Sequence, residues 1–232
     1  MNYLYLLLNL GSISIPFIFS FHPKLKFYKL WKPFIISVLA GMVVFIPWDI
    51  AFTINGFWGF NNNYLLGINL FNLPIEEWLF FICIPYACVF THYALLYYFP
   101  KMELSTKTTK MLSYIFIIGF TVMALYNYNR WYTFINFSIA AILLLIVLNK
   151  SLDLLKGFYL TFLVILIPFF LVNGLLTGST IKNEVVWYNN TENLGIRLFT
   201  IPIEDVFYAF SLILLCLFIM KLKERSALQA SH

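Results

Sequence analysis

Charge is scarce in this chain. Only 11% of its 232 residues are charged, while 62% are hydrophobic and 20% aromatic. A soluble domain cannot hide so much apolar surface from water, which leaves the integral membrane class. Acid is scarcer than base: ten Asp and Glu stand against fifteen Lys and Arg, a balance of +5. The bases fall in short clusters between apolar segments, so they read as topology signals and exclude a nucleic-acid surface. Cysteine is limited to Cys83, Cys88 and Cys216, each inside an apolar segment and at spacings that match no zinc pattern. Histidine is equally thin; His92 is alone in its segment and His22 sits in a basic loop, so no metal site is expected. No Gly-x-Gly-x-x-Gly, phosphate loop or Gly-x-Ser-x-Gly pattern occurs, so no dinucleotide cofactor is evident. Glycine and proline are too few for a collagen-like or disordered chain.

Long apolar runs are what the chain has. Seven segments, at 2–20, 33–54, 74–98, 111–127, 132–148, 157–177 and 202–220, can each span a hydrocarbon core about 30 Å thick. In lipid the backbone must satisfy its own polar groups, so these are helices. Met1-Asn2-Tyr3 lacks a positive n-region, and the first segment is expected to be retained. Twelve of the fifteen basic residues, from Lys24 through Arg225, share one side if the N-terminus is outside. The other side has only Arg130, Lys182 and Arg197. This bias predicts an outside N-terminus and a cytoplasmic C-terminus.

One stretch occurs twice. Leu66 to Glu77 (Leu-Gly-Ile-Asn-Leu-Phe-Asn-Leu-Pro-Ile-Glu-Glu) returns as Leu194 to Asp205, with eight of twelve positions identical at an offset of 128. Upstream, Asp49-x-x-x-Thr53 is matched by Asn173-x-x-x-Thr177, and Trp58 by Trp187. Helices one to three therefore repeat as helices five to seven, and helix four, crossing once more, keeps the two copies parallel. The expected fold is all-α, with seven transmembrane helices in two parallel three-helix repeats. Its parts are residues 1–99, a linker with helix four at 100–131, residues 132–222, and a cytoplasmic tail at 223–232.

Five of the ten acids, Asp49, Glu76, Glu77, Glu204 and Asp205, lie at outer helix ends and form one layer if the halves pack face to face. Each Pro-Ile-Glu-acid motif is also an ordinary helix start: proline suits the first turn, and carboxylates there favour the helix dipole by about 0.3–1 kcal/mol. Eight identities exceed what a helix start requires. Two adjacent carboxyls in an apolar pocket leave one neutral and one ionised, a pair able to give a proton and take one back. Arg197 is placed to pair with an acid of the second motif, where the first has Asn69. Aromatic residues around this layer, including Trp58, Trp78 and Trp187, read as an interfacial belt or as rings that stabilise a carbocation. A proton-coupled transporter fits the same acids. A retinal protein does not, because residues 202–220 contain no lysine.

The doubled Leu-Gly-Ile-x-Leu-Phe and Pro-x-Glu-(Glu/Asp) set, each copy following an Asp/Asn-x-x-x-Thr and a loop tryptophan, resembles the membrane-integral lycopene cyclase family in its fused form, along residues 1–222. That resemblance implies carotenoid biosynthesis: acid-initiated closure of linear lycopene end groups to β-ionone rings, through γ-carotene to β-carotene, an isomerisation without redox change. It implies catalytic roles for Glu76, Glu77, Glu204 and Asp205 with Asp49 as an auxiliary acid. It implies that Pro74 and Pro202 hold the turns. Trp58, Trp78, Trp187, Asn173 and Arg197 become candidates for contact with substrate. The implied partner is lycopene within the bilayer, and association with other carotenoid enzymes stays open.

Overall fold

Each apolar run closes its own backbone hydrogen bonds and becomes a helix. The computed structural model describes residues 3–229, with side chains through Glu224. The helices are α1 (Leu4–Phe19), α2 (Trp31–Ile54), α3 (Ile75–Tyr98), α4 (Thr106–Tyr126), α5 (Trp131–Lys150), α6 (Leu152–Leu176) and α7 (Ile203–Gln229). Among the described residues six helices are long and apolar enough to cross a membrane; α1, at 16 residues, is shorter. Their outward faces are apolar too. Val43 is 75% and Ile167 67% exposed, which suits lipid and not water. Met1 and Asn2, where the first segment was expected to begin, lie outside the described residues, as do the Arg225 side chain and the end of the expected tail.

Several helices run past their apolar segments. α4 begins at Thr106, five residues before its expected start, because the Ser105 hydroxyl caps it by accepting from the Thr108 N–H at 3.1 Å. α6 begins at Leu152, with only Ser151 between it and the end of α5, so Lys156 sits within a helix and pairs with Asp153 at 3.0 Å. Lysine carries its charge on a long stem, and a helix can continue under it.

The helices pack in pairs. α1 lies on α3 and α5 lies on α7; α2 packs on α7, α6 on α3, and α4 covers α5. The all-α expectation omits six short strands. β1 (Trp58–Phe60) pairs antiparallel with β4 (Val186–Tyr188), tying the two long loops together. β2 (Asn69–Leu70) pairs with β3 (Leu73–Pro74), and β5 (Arg197–Leu198) with β6 (Ile201–Pro202). The duplicated stretch is thus a tight hairpin leading into a helix. Phe71 and Asn72 both take positive φ (51° and 63°), as a two-residue hairpin turn requires, and Phe199 does so in the second copy (59°). Strands of two or three residues leave no periodicity to read. Pro74 and Pro202 end the hairpins. The next residues, Ile75 and Ile203, donate back to the carbonyls of Ile68 (2.9 Å) and Ile196 (3.0 Å).

Candidate active site

The two adjacent acids of each motif face different surroundings. Both lie in the first turn of α3 or α7, but at 3.6 residues per turn neighbouring side chains diverge by roughly 100°. Glu76 turns toward its own hairpin, where Oε1 accepts the Leu66 N–H at 2.6 Å. Its backbone carbonyl accepts Asn9 Nδ2 from α1 at 2.8 Å. Glu204 repeats both contacts: Oε1 accepts the Leu194 N–H at 2.8 Å, and its carbonyl accepts Asn136 Nδ2 from α5 at 2.6 Å. Thr133 adds a third bond, its hydroxyl 2.7 Å from Glu204 Oε1. Both glutamates are fully buried and tie a hairpin to a helix pair.

The second acid of each pair faces a cavity of about 80 Å³ that Asp49 also lines. Tyr5 of α1 donates to Glu77 Oε2 at 2.5 Å. Tyr132, at the matching place on α5, donates to Asp205 Oδ1 at 2.5 Å, and Tyr188 of β4 donates to Oδ2 at 2.9 Å. Trp58 of β1 donates its indole N–H to Asp49 Oδ1 at 2.9 Å, while Asp49 Oδ2 is buried without a partner. Burial, reinforced by the Asp205 carboxylate, holds the Tyr188 hydroxyl well above the usual phenol range, so it remains a donor. Trp58, Phe60, Phe80, Phe169 and Tyr208 line the same space. The site combines three carboxyls with aromatic walls, drawn from α2, α3 and α7 and closed by the β1–β4 ribbon.

The sequence-based candidates divide accordingly. Asp49, Glu77, Asp205, Trp58 and Asn173 line the cavity; Glu76, Glu204, Trp78, Trp187 and Arg197 do not. Trp187 is 40% exposed and lies over Gly59, because alternation along β4 turns Tyr188 inward and Trp187 outward. Across the ribbon, the residue facing Trp58 is Tyr188. Trp78 donates to the Leu70 carbonyl at 3.2 Å and packs beside Phe71, so it belongs to the hairpin. Among the described residues Arg197 has no acid within ion-pair distance. Its guanidinium donates to the Thr200 carbonyl at 2.7 Å and to Asn190 Oδ1 at 3.0 Å, and it lies over the Tyr188 ring.

Four residues that hold this site are not among the sequence-based candidates: Tyr5, Asn9, Tyr132 and Asn136. A signal existed for all four. Tyr5-x-x-x-Asn9 returns as Tyr132-x-x-x-Asn136 at an offset of 127, and i, i+4 spacing puts both residues on one helix face. It is hidden because tyrosine near a span's end reads as an interfacial belt. Among the described residues no group of three or more His, Cys, Asp and Glu is placed to hold a metal ion.

A family model described as Lycopene cyclase matches residues 2–96 and again 129–222. No curated protein and no solved structure matches the chain. The two matched stretches leave out all of α4 and span most of the chain, and each contains a tyrosine, an asparagine and an acid pair joined as described, so the chain belongs to the lycopene cyclase family.

Proposed function

We propose that this chain is a lycopene β-cyclase that closes linear end groups of lycopene without net redox change. Family membership suggests an enzyme of carotenoid cyclisation. The observation that carries the finer reading is the cavity, in which Asp49, Glu77 and Asp205 meet within aromatic walls. Carboxyls buried together do not all ionise, so at least one keeps a proton for donation. Asp205 accepts hydroxyl hydrogen bonds on both oxygens, the pattern of a carboxylate. Asp49 has one buried oxygen free of any partner, where a proton can reside. In this reading Asp49 protonates the terminal double bond. The resulting tertiary cation is attacked by the neighbouring alkene, and a carbon–carbon bond forms. Loss of a proton from the ring to a carboxylate, with Glu77 or Asp205 as acceptor, leaves the β-ionone double bond. Ring faces stabilise the cation by about 0.5–2 kcal/mol each.

The architecture proposed with it is two parallel three-helix repeats, α1–α3 and α5–α7, joined by α4, with units at 1–99, 100–131 and 132–222. The paired packing, the duplicated hairpins and the two matched stretches support it. The lysine and arginine bias supports an outside N-terminus, with the acid cavity toward the outer face. The proposed substrate reaches the site from within the bilayer, and no dinucleotide cofactor is invoked.

Expression of the full chain in a lycopene-accumulating host tests the reaction. Ring-bearing products with a shift from red to yellow-orange are expected. Unchanged lycopene alongside well-inserted protein excludes it.

A further inference from the structure

The acid cavity is far too small to hold a whole carotenoid. Beside it, between α1, α3 and α6, lies an apolar cleft of about 310 Å³. The cleft and the cavity share Ile84, Phe169, Asn173, Ala209 and Ile213, so one continues into the other. From Ile165 to Asn173 on α6 the cleft runs about 12 Å at 1.5 Å per residue. Its three polar side chains are turned to their own helices. Ser12 donates to the Leu8 carbonyl at 2.7 Å, Thr91 to that of Ala87 at 2.8 Å, and Asn173 to that of Phe169 at 3.3 Å. Such a lining offers little to a polar ligand.

Across the repeat the corresponding helices, α2 and α7, pack more closely than α6 and α3, and the residues explain why. In the other half Gly41 of α2 sits directly against α7. A Cβ built there would lie 3.3 Å from Leu212 and 3.7 Å from the Cys216 sulfur. The offset of 124 that relates Asp49 to Asn173 carries Gly41 to Ile165, and the offset of 128 carries Leu212 and Cys216 to Ile84 and Cys88. Ile165, Ile84 and Cys88 all line the cleft. A branched side chain therefore stands where the other half has no side chain, and α6 packs more loosely on α3 than α2 does on α7. Small residues enlarge the gap: Gly11 on α1 and Ala87 on α3, the latter matched by Leu215 in the other half.

We propose that this cleft is the polyene subsite: it takes the linear chain of the carotenoid that follows the reacting end group and opens to the bilayer on the α1–α3–α6 side. The inference rests on the cyclase reading. It makes the molecule one-sided, with one end group held at a time and the rest of the chain leaving by one route. The two ends of a substrate then react in separate binding events.

Gly11 supplies a clean test, because a Cβ there meets nothing within 4 Å and the helix is not strained by a side chain. Gly119 on α4 is equally open and lies outside the cleft, so Gly119→Phe is the control. The full chain in lipid nanodiscs is given lycopene, and initial rates of cyclisation are measured against substrate content. Gly11→Phe and Ala87→Phe are expected to raise the apparent KM at least tenfold, with Gly119→Phe unchanged. A wild-type rate and KM in Gly11→Phe, in a protein whose unsubstituted form cyclises lycopene, overturns the cleft assignment alone; a lipid acyl chain lodged there instead gives this result. Failure of the unsubstituted chain to cyclise lycopene removes the parent reading and the subsite with it.

Discussion

Asp205 and Glu76 are both buried acids in the first turn of a helix, yet their surroundings differ. Asp205 faces the cavity and holds two tyrosine hydroxyls. Asp205→Asn is expected to lower the cyclisation rate about 10²-fold or more, the scale of a lost proton acceptor, with expression and melting little changed. Product formation in purified protein measures this. Glu76 Oε1 instead accepts the Leu66 N–H, and an amide oxygen can do the same. Glu76→Gln is therefore expected to stay within about tenfold of the parent rate. Glu76→Ala leaves a buried N–H unpaired and should cost about 1–3 kcal/mol in thermal unfolding. A dead Glu76→Gln enzyme of normal stability would move that residue into the chemistry. The sequence places all four motif acids together, and only the helical divergence of neighbouring side chains separates them.

At the scale of elements, the β1–β4 ribbon aligns the acids of the two halves. It carries Trp58 to Asp49 and Tyr188 to Asp205 from opposite strands of one pair. Its register depends on Gly59, where a Cβ would stand 2.4 Å from the Trp187 ring. Gly59→Val is expected to splay the ribbon and lower cyclisation more than tenfold, while the helices still insert. Tryptophan fluorescence should report altered packing of Trp58 and Trp187, and an unaltered spectrum with full activity would show that the ribbon tolerates a side chain. The helices themselves were legible in the sequence, because a run of apolar residues in lipid has few alternatives. The ribbon was not: three residues per strand, drawn from loops more than a hundred positions apart, carry no local pattern.

Across the whole molecule, the cavity belongs to neither half. Asp49, Glu77 and Tyr5 come from the first family-matched stretch, and Asp205, Tyr132 and Tyr188 from the second. The chain cut in the turn between α4 and α5, at residues 127–130, should accordingly regain cyclisation when its two pieces are co-expressed, and neither piece should cyclise lycopene alone. The pigment of the three host strains reads the outcome directly. Activity in a lone half would show that one acid set suffices.

The sequence by itself determined the membrane class, the central parts of the helices though not all of their ends, the duplication and the family. Each follows from composition or local identity, which survive without coordinates. Only the tertiary structure decided which acid of each pair meets the cavity and that Tyr188 takes the place expected of Trp187. It also decided that α6 packs more loosely on α3 than α2 does on α7. Those outcomes depend on the facing of side chains and on the fit between distant helices, such as Gly41 against Leu212 and Ile165 beside Ile84. A repeat read along one chain shows which residues correspond; packing determines where the correspondence breaks.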